Sequence, residues 1–155
     1  MNLYEKIKDL LDSNNIDYTE IGHEPVFTSE QAAKIRKSNI DEGAKALIFL
    51  ADDKPIQLVI QGSKRVDKDK FKSQFGFTKL KMASAEQVKV ISGVEPGAVA
   101  PFGNLFEPPI PVYATNSLLN LEHIEFNAGD HCISIFMKAK DFANLVKPIT
   151  ADYEE

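Results

Sequence analysis

ALIFLADDKPIQLVI, residues 46–60, decides the fold. Two β-rich apolar runs, 46–50 and 56–60, flank a charged turn containing Pro55, which is the pattern of a β-hairpin. Neither run alternates apolar with polar residues, so both faces of each strand are expected to be covered. That places the hairpin in the middle of a sheet packed by helices.

Working outward, Leu3, Ile7, Leu10 and Leu11 recur at helical spacing and predict an amphipathic helix over 2–13, ended by Asn14 and Asn15. YTEI at 18–21 reads as a short strand. TSEQ at 28–31 predicts a capping box, Thr28 taking the N–H of Gln31 and the Gln31 side chain returning the bond, with a helix through about Lys37. The device recurs in SAEQ at 84–87, opening a helix through Ile91 that stops at Gly93. Asp67 is placed to cap a further helix through Phe75. Strands are expected at 112–115, 123–127 and 131–137; in the last, Ile133, Ile135 and Met137 alternate with Cys132, Ser134 and Phe136. KDFANLVKPI predicts a helix ended by Pro148, and the tail ADYEE is expected to fray. Helices and strands interleave without a steady βαβ rhythm. The expectation is an α+β fold, one domain over 1–155, around one curved mixed sheet flanked by helices.

With 43% hydrophobic and 26% charged residues, the chain is too apolar for disorder and too evenly charged for a fibre. Cys132, the single cysteine, can form no intramolecular disulfide, so a cytoplasmic location is the default expectation. The start MNLYEKIKDLLDS carries Glu5 and Asp9 and lacks the apolar centre of a signal peptide. No apolar run approaches the roughly 18 residues of a membrane span, so no membrane partner is expected. The net charge of −5 argues against gripping DNA or RNA by bulk electrostatics. Yet Ser63–Lys81 holds seven basic residues against two acidic ones, a local balance of +5. Lys64, Arg65, Lys68, Lys70 and Lys72 form either a solvated face or a docking patch for phosphates. Phe71, Phe75 and Phe77 in the same segment have the spacing of core residues.

No phosphate-loop, dinucleotide, zincin or nucleophile-elbow motif is present. His23, His123 and His131 lack metal-ligand spacing, Cys132 has the setting of a core residue, and neither metal nor cofactor is expected. The loop PGAVAPFGN, 96–104, is the main candidate. Gly97 and Gly103 permit close approach to bare backbone, Pro96 and Pro101 hold the loop in shape, and its N–H groups could meet an anion or an oxyanion. The plain alternative is a tight helix-to-strand connection. Lys45, after a glycine at the mouth of the first hairpin strand, either snorkels or serves a phosphate or carbonyl in a cleft. NAGDH, 127–131, delivers His131 through another glycine-bearing turn.

In order along the chain, HEPVFTSEQAA, GAKALIFL, KLKMASAEQV, GVEPGAVAPFGN and NAGDHCISIFMKAKDF resemble the YbaK/prolyl-tRNA synthetase-associated family of aminoacyl-tRNA editing domains. The resemblance runs from about His23 to Val146, and its most specific element is Gly97-Ala-Val-Ala-Pro101 followed by Phe102-Gly103. It implies a barrel-like curved sheet enclosing a small pocket, and a freestanding member acting in trans. The implied activity is hydrolysis of the ester between a wrong small amino acid, such as alanine or cysteine, and the 3′-terminal adenosine of tRNA for proline. It further implies main-chain stabilisation of the oxyanion at Gly97 and Ala98, and Lys45 on the phosphate or ribose end. Thr28, Pro101, Phe102, Gly103 and His131 are implied as substrate contacts, and a prolyl-tRNA synthetase as a further partner. Two departures bear on specificity: Asn116 where many members carry an acidic residue, and Ala46 where a polar one is frequent. A non-catalytic module binding tRNA or a synthetase is the competing reading. Hydrolysis of an unrelated small ester is disfavoured by the missing nucleophile.

Overall fold

A computed structural model describes all 155 residues. The hairpin forms as two eight-residue strands, β2 (Ala44–Ala51) and β3 (Lys54–Gln61), longer than the apolar runs alone. Asp52 and Asp53, both at positive φ (47° and 68°), make the whole turn. A two-residue turn of that hand matches the right-handed twist of the strands. Pro55 therefore stands inside β3, paired with Leu50 near the strand's start, where a missing N–H costs little.

The hairpin is central, as its uniform apolarity requires. β2 also pairs with β4 (Leu80–Met82), and β3 runs parallel to β5 (Val112–Thr115), which in turn pairs with β8 (Ile149–Ala151). The order β4-β2-β3-β5-β8 makes a mixed five-stranded sheet. A second, antiparallel sheet contains β1 (Tyr18–Gly22), β7 (Ile133–Lys138) and β6 (His123–Asn127) in that order. The expected single barrel-like sheet is thus replaced by two. One bridge, Gly43 to Glu125, joins them. The ladder stops there because the Gly43 amide closes a 3-10 turn on Ile40 (3.1 Å), and the chain upstream curls away.

Helices α1 (Leu3–Ser13), α2 (Ser29–Arg36), α3 (Lys68–Phe75), α4 (Ala85–Ser92), α5 (Asn116–Leu119) and α6 (Ala139–Val146) flank the sheets. Leu3, Ile7 and Leu11 of α1 enter a core with Phe102, Phe126 and Phe142. A smaller aromatic core gathers round Phe71, whose ring centroid lies 4.9 Å from Phe75 and Tyr113 and 5.3 Å from Tyr153. The capping box at α4 is complete, and Asp67 caps α3. At α2 Thr28 accepts from Gln31, but the Gln31 side chain returns the bond to the Phe27 amide (2.9 Å) rather than to Thr28.

Two further expectations fail. The tail does not fray: β8 extends the sheet, Asp67 donates to the Tyr153 carbonyl (2.8 Å), and the Tyr153 side chain is fully buried. Strand β7 begins at Ile133, so His131 and Cys132 lie in the preceding turn and Cys132 is only half-buried.

Candidate active site

Between the two sheets and α2 lies a cavity of about 350 Å³. Its rim begins with α2. The first-turn amides of Ser29 and Glu30 have no earlier carbonyl to bond, both residues line the cavity, and Thr28 stands beside them as the cap. That helix end favours negative charge.

Lys45, the second residue of β2, also lines the cavity. Its Nζ donates to the carbonyl of Lys64 (2.7 Å) and, at the limit of hydrogen bonding, to that of Gly62 (3.4 Å). Burial lowers its pKa, the charge of Glu30 opposes that shift, and Arg65 adds to it. The ammonium is therefore held by main-chain oxygens at the rim, with Arg65 and Glu30 near it.

The third wall is the glycine loop. Gly97 has φ +87°, and its carbonyl accepts from Asn127 Nδ2 (2.7 Å). Gly97 and Val99 line the cavity, and their amides have no hydrogen-bond partner in the chain. The Ala98 amide instead closes a turn on the Glu95 carbonyl (3.1 Å), so the unpaired donors belong to its two neighbours. Pro101, Phe102 and Gly103 are buried and do not line the cavity. Phe102 packs on Phe126 and Phe142, and the Gly103 amide donates to Gln57 Oε1 (2.9 Å) while Gln57 Nε2 reaches the Ala100 carbonyl (3.0 Å). These residues brace the loop from behind. His131 lies on the far side of Gly97, its Nδ1 3.0 Å from the Val26 carbonyl and its ring 4.6 Å from that of Phe27. It borders a separate, open depression with Ala98 and Cys132.

The sequence motifs do not reveal the floor. Arg36 and Glu125 line the cavity with side chains only 5% and 4% exposed. Arg36 Nε donates to Ser134 Oγ (2.8 Å) and Nη2 to Asn127 Oδ1 (3.0 Å); Ser38 Oγ donates to Glu125. Burial lowers the Arg36 pKa and raises that of Glu125. A signal is present in the periodicity: Ser29, Ala32, Ala33 and Arg36 fall at i, i+3, i+4 and i+7 on one face of α2, and all four line the cavity. An acidic residue between Ile124 and Phe126 in the strand HIEFN is a second. The exposed aromatic Phe27, also on the cavity wall, stands out in the sequence only as part of a motif.

Of the basic segment, Lys64 and Arg65 are exposed beside Lys45, and Lys68 and Lys70 are exposed on α3. Lys70 Nζ bonds the Glu154 carbonyl (3.0 Å), and Lys72 pairs with Asp69 (3.5 Å). Ala46 lines the cavity; Asn116 does not, and bonds Asp152 at 3.2 Å.

The model of the aminoacyl-tRNA editing domain matches residues 23–145, a span that contains every cavity residue named above. The chain belongs to the aminoacyl-tRNA editing domain family. Among its editing-domain relatives, the prolyl-tRNA editing protein ProX of Acetoanaerobium sticklandii is 30% identical over 142 residues, 88% of this chain and 86% of that protein. The multifunctional Ser/Thr-tRNA deacylase ProXp-y of Escherichia coli is 25% identical over 94% of this chain and 89% of its own length. The crystal structure of the hypothetical protein APE2540 superposes with a TM-score of 0.88, at 21% identity, over 97% of this chain and 99% of that one, which is a likeness of fold.

Proposed function

We propose that this editing domain is a trans-acting deacylase that hydrolyses the ester of a mischarged tRNA, foremost tRNA for proline carrying a small wrong amino acid such as alanine or cysteine. One observation carries the reading: Gly97 and Val99, whose amides are unpartnered, and the half-buried Lys45 line the same cavity. Water adding to the ester carbonyl produces a tetrahedral oxyanion, and fixed N–H donors are strongest where that charge develops in a site shielded from water. Collapse expels the ribose oxygen, which leaves as a hydroxyl with the proton that water gave up. The vicinal ribose hydroxyl carries that proton in this scheme. Lys45, with the free amides of Ser29 and Glu30, holds the phosphate or ribose end of the acceptor, while Lys64, Arg65 and Lys68 dock the acceptor stem in this scheme. A prolyl-tRNA synthetase is the proposed source of the mischarged tRNA, and the reaction takes place in the cytoplasm.

The test is deacylation of tRNA for proline charged in turn with proline, alanine, cysteine and serine. Release of a wrong amino acid with prolyl-tRNA left intact is expected, and Lys45→Ala should lower kcat/KM for that ester at least about tenfold. If every charged tRNA survives a molar excess of the protein, the proposal fails. The alternative, a non-catalytic module for tRNA or a synthetase, draws on the Ala98 amide being spent within the loop. Saturable tRNA binding with no loss of any ester would select it.

A further inference from the structure

We infer that Arg36 and Glu125 read a hydroxyl group on the amino acid to be removed, so that the cavity favours a small hydroxyl-bearing side chain, serine foremost, over alanine or cysteine. This rests on the deacylase reading above and puts serine in place of alanine or cysteine as the amino acid foremost removed.

Two groups on the cavity floor are incompletely used. Arg36 spends Nε on Ser134 and one Nη2 hydrogen on Asn127, but Nη1 has no acceptor: its nearest carboxylate oxygen, Glu125 Oε1, is 4.0 Å away, beyond hydrogen-bond reach. Glu125 takes the Ser38 hydroxyl on Oε1, and no donor in the chain reaches Oε2. A donor and an acceptor thus stand side by side, both at least nine-tenths buried and both lining the cavity. Gly43 puts no side chain beside Nη1, where a Cβ would stand in contact with that nitrogen at 3.6 Å. A hydroxyl is the small group that accepts from the one and donates to the other.

Position supports the assignment. Asn127 bonds Arg36 through Oδ1 and the Gly97 carbonyl through Nδ2, so the guanidinium is one side chain from the loop proposed to hold the reacting carbonyl. The substituent on the substrate Cα would enter beside it. Ala32, Gly43 and Val99 line the same cavity, so small apolar groups share its walls with the charged pair. An alanyl methyl would displace water from both polar groups and replace neither bond, and a thiol is a poor partner for each. Sites built to bond a hydroxyl reject the analogue without one far more strongly than apolar pockets sort by size.

The experiment uses one tRNA for proline charged with serine, threonine, alanine or cysteine, with kcat/KM measured for the wild type and for Glu125→Gln. Expected is a seryl-to-alanyl ratio of about 10 or more, falling at least about fivefold in Glu125→Gln. Equal wild-type rates on seryl and alanyl esters would overturn this inference and leave the deacylase reading standing. A ratio unmoved in a folded Glu125→Gln protein would overturn the role of the pair. Hydrolysis of none of the four would remove the deacylase reading itself. The wild-type panel decides the question even if the variant does not fold.

Discussion

Three constraints meet at Gly97: a φ of +87° that disfavours any side chain, a His131 ring whose Cε1 would stand 3.1 Å from an added Cβ, and an Asn127 amide fixing its carbonyl. Gly97→Ala should therefore cost about 1–3 kcal/mol of stability through backbone strain, measured by urea unfolding. It should also lower kcat more than that loss explains, because the neighbouring amides rotate away from the oxyanion. Asn127→Asp separates orientation from packing. It retains an acceptor for Arg36 but has no N–H for the Gly97 carbonyl, so kcat should fall at least about tenfold with KM little changed. A loss confined to KM would mean that the loop binds substrate without stabilising the transition state.

At the scale of elements, what the sequence reveals follows from local chemistry. Apolar runs mark the hairpin, Ser84 and Asp67 mark their helices, and Leu3, Ile7 and Leu11 mark the buried face of α1. Sheet closure is not legible, because it depends on one residue, Gly43, spending its amide in a turn. Nor is the tail, whose order comes from partners distant in sequence: ADYEE reads as a frayed end, yet the Tyr153 hydroxyl donates to the Val59 carbonyl in β3 (2.8 Å) across the aromatic core. Of the site, glycines and a lysine are visible as unusual letters. The Arg36–Glu125 floor is marked only faintly, by the spacing along α2 and by the acid between Ile124 and Phe126, because a charged residue on a short helix usually faces water. The tail's role is measurable. Tyr153→Phe should lower stability by about 1–2 kcal/mol by leaving a buried carbonyl without its donor, and Tyr153→Ala by about 3–5 kcal/mol by opening the core. Urea midpoints unchanged by both substitutions would mean that the tail rides on the fold without supporting it.

Across the whole molecule, the charge is divided in a way that suits an anionic substrate approaching from one side. The chain carries −5 in total, while Ser63–Lys81 carries +5, so the remainder carries −10 and repels a polyanion elsewhere. Not all of that basic segment can serve. Lys64 and Arg65 stand beside Lys45 at the cavity, whereas Lys81 pairs with Leu50, five residues further along β2 from Lys45. At strand rise that is about 17 Å from the cavity rim. Replacing Lys64, Arg65 and Lys68 with glutamine should reduce the salt dependence of kcat/KM on mischarged tRNA by roughly 0.7–0.9 logarithmic units for each phosphate that is no longer neutralised. Lys79→Gln with Lys81→Gln removes charge from the same segment at the far end of the strand and should leave the slope nearly intact. A salt titration of both variants separates local docking from net charge. Equal slopes per charge removed would mean that the tRNA senses only the total, and that the proximity of Lys64 and Arg65 to the cavity has no part in recognition.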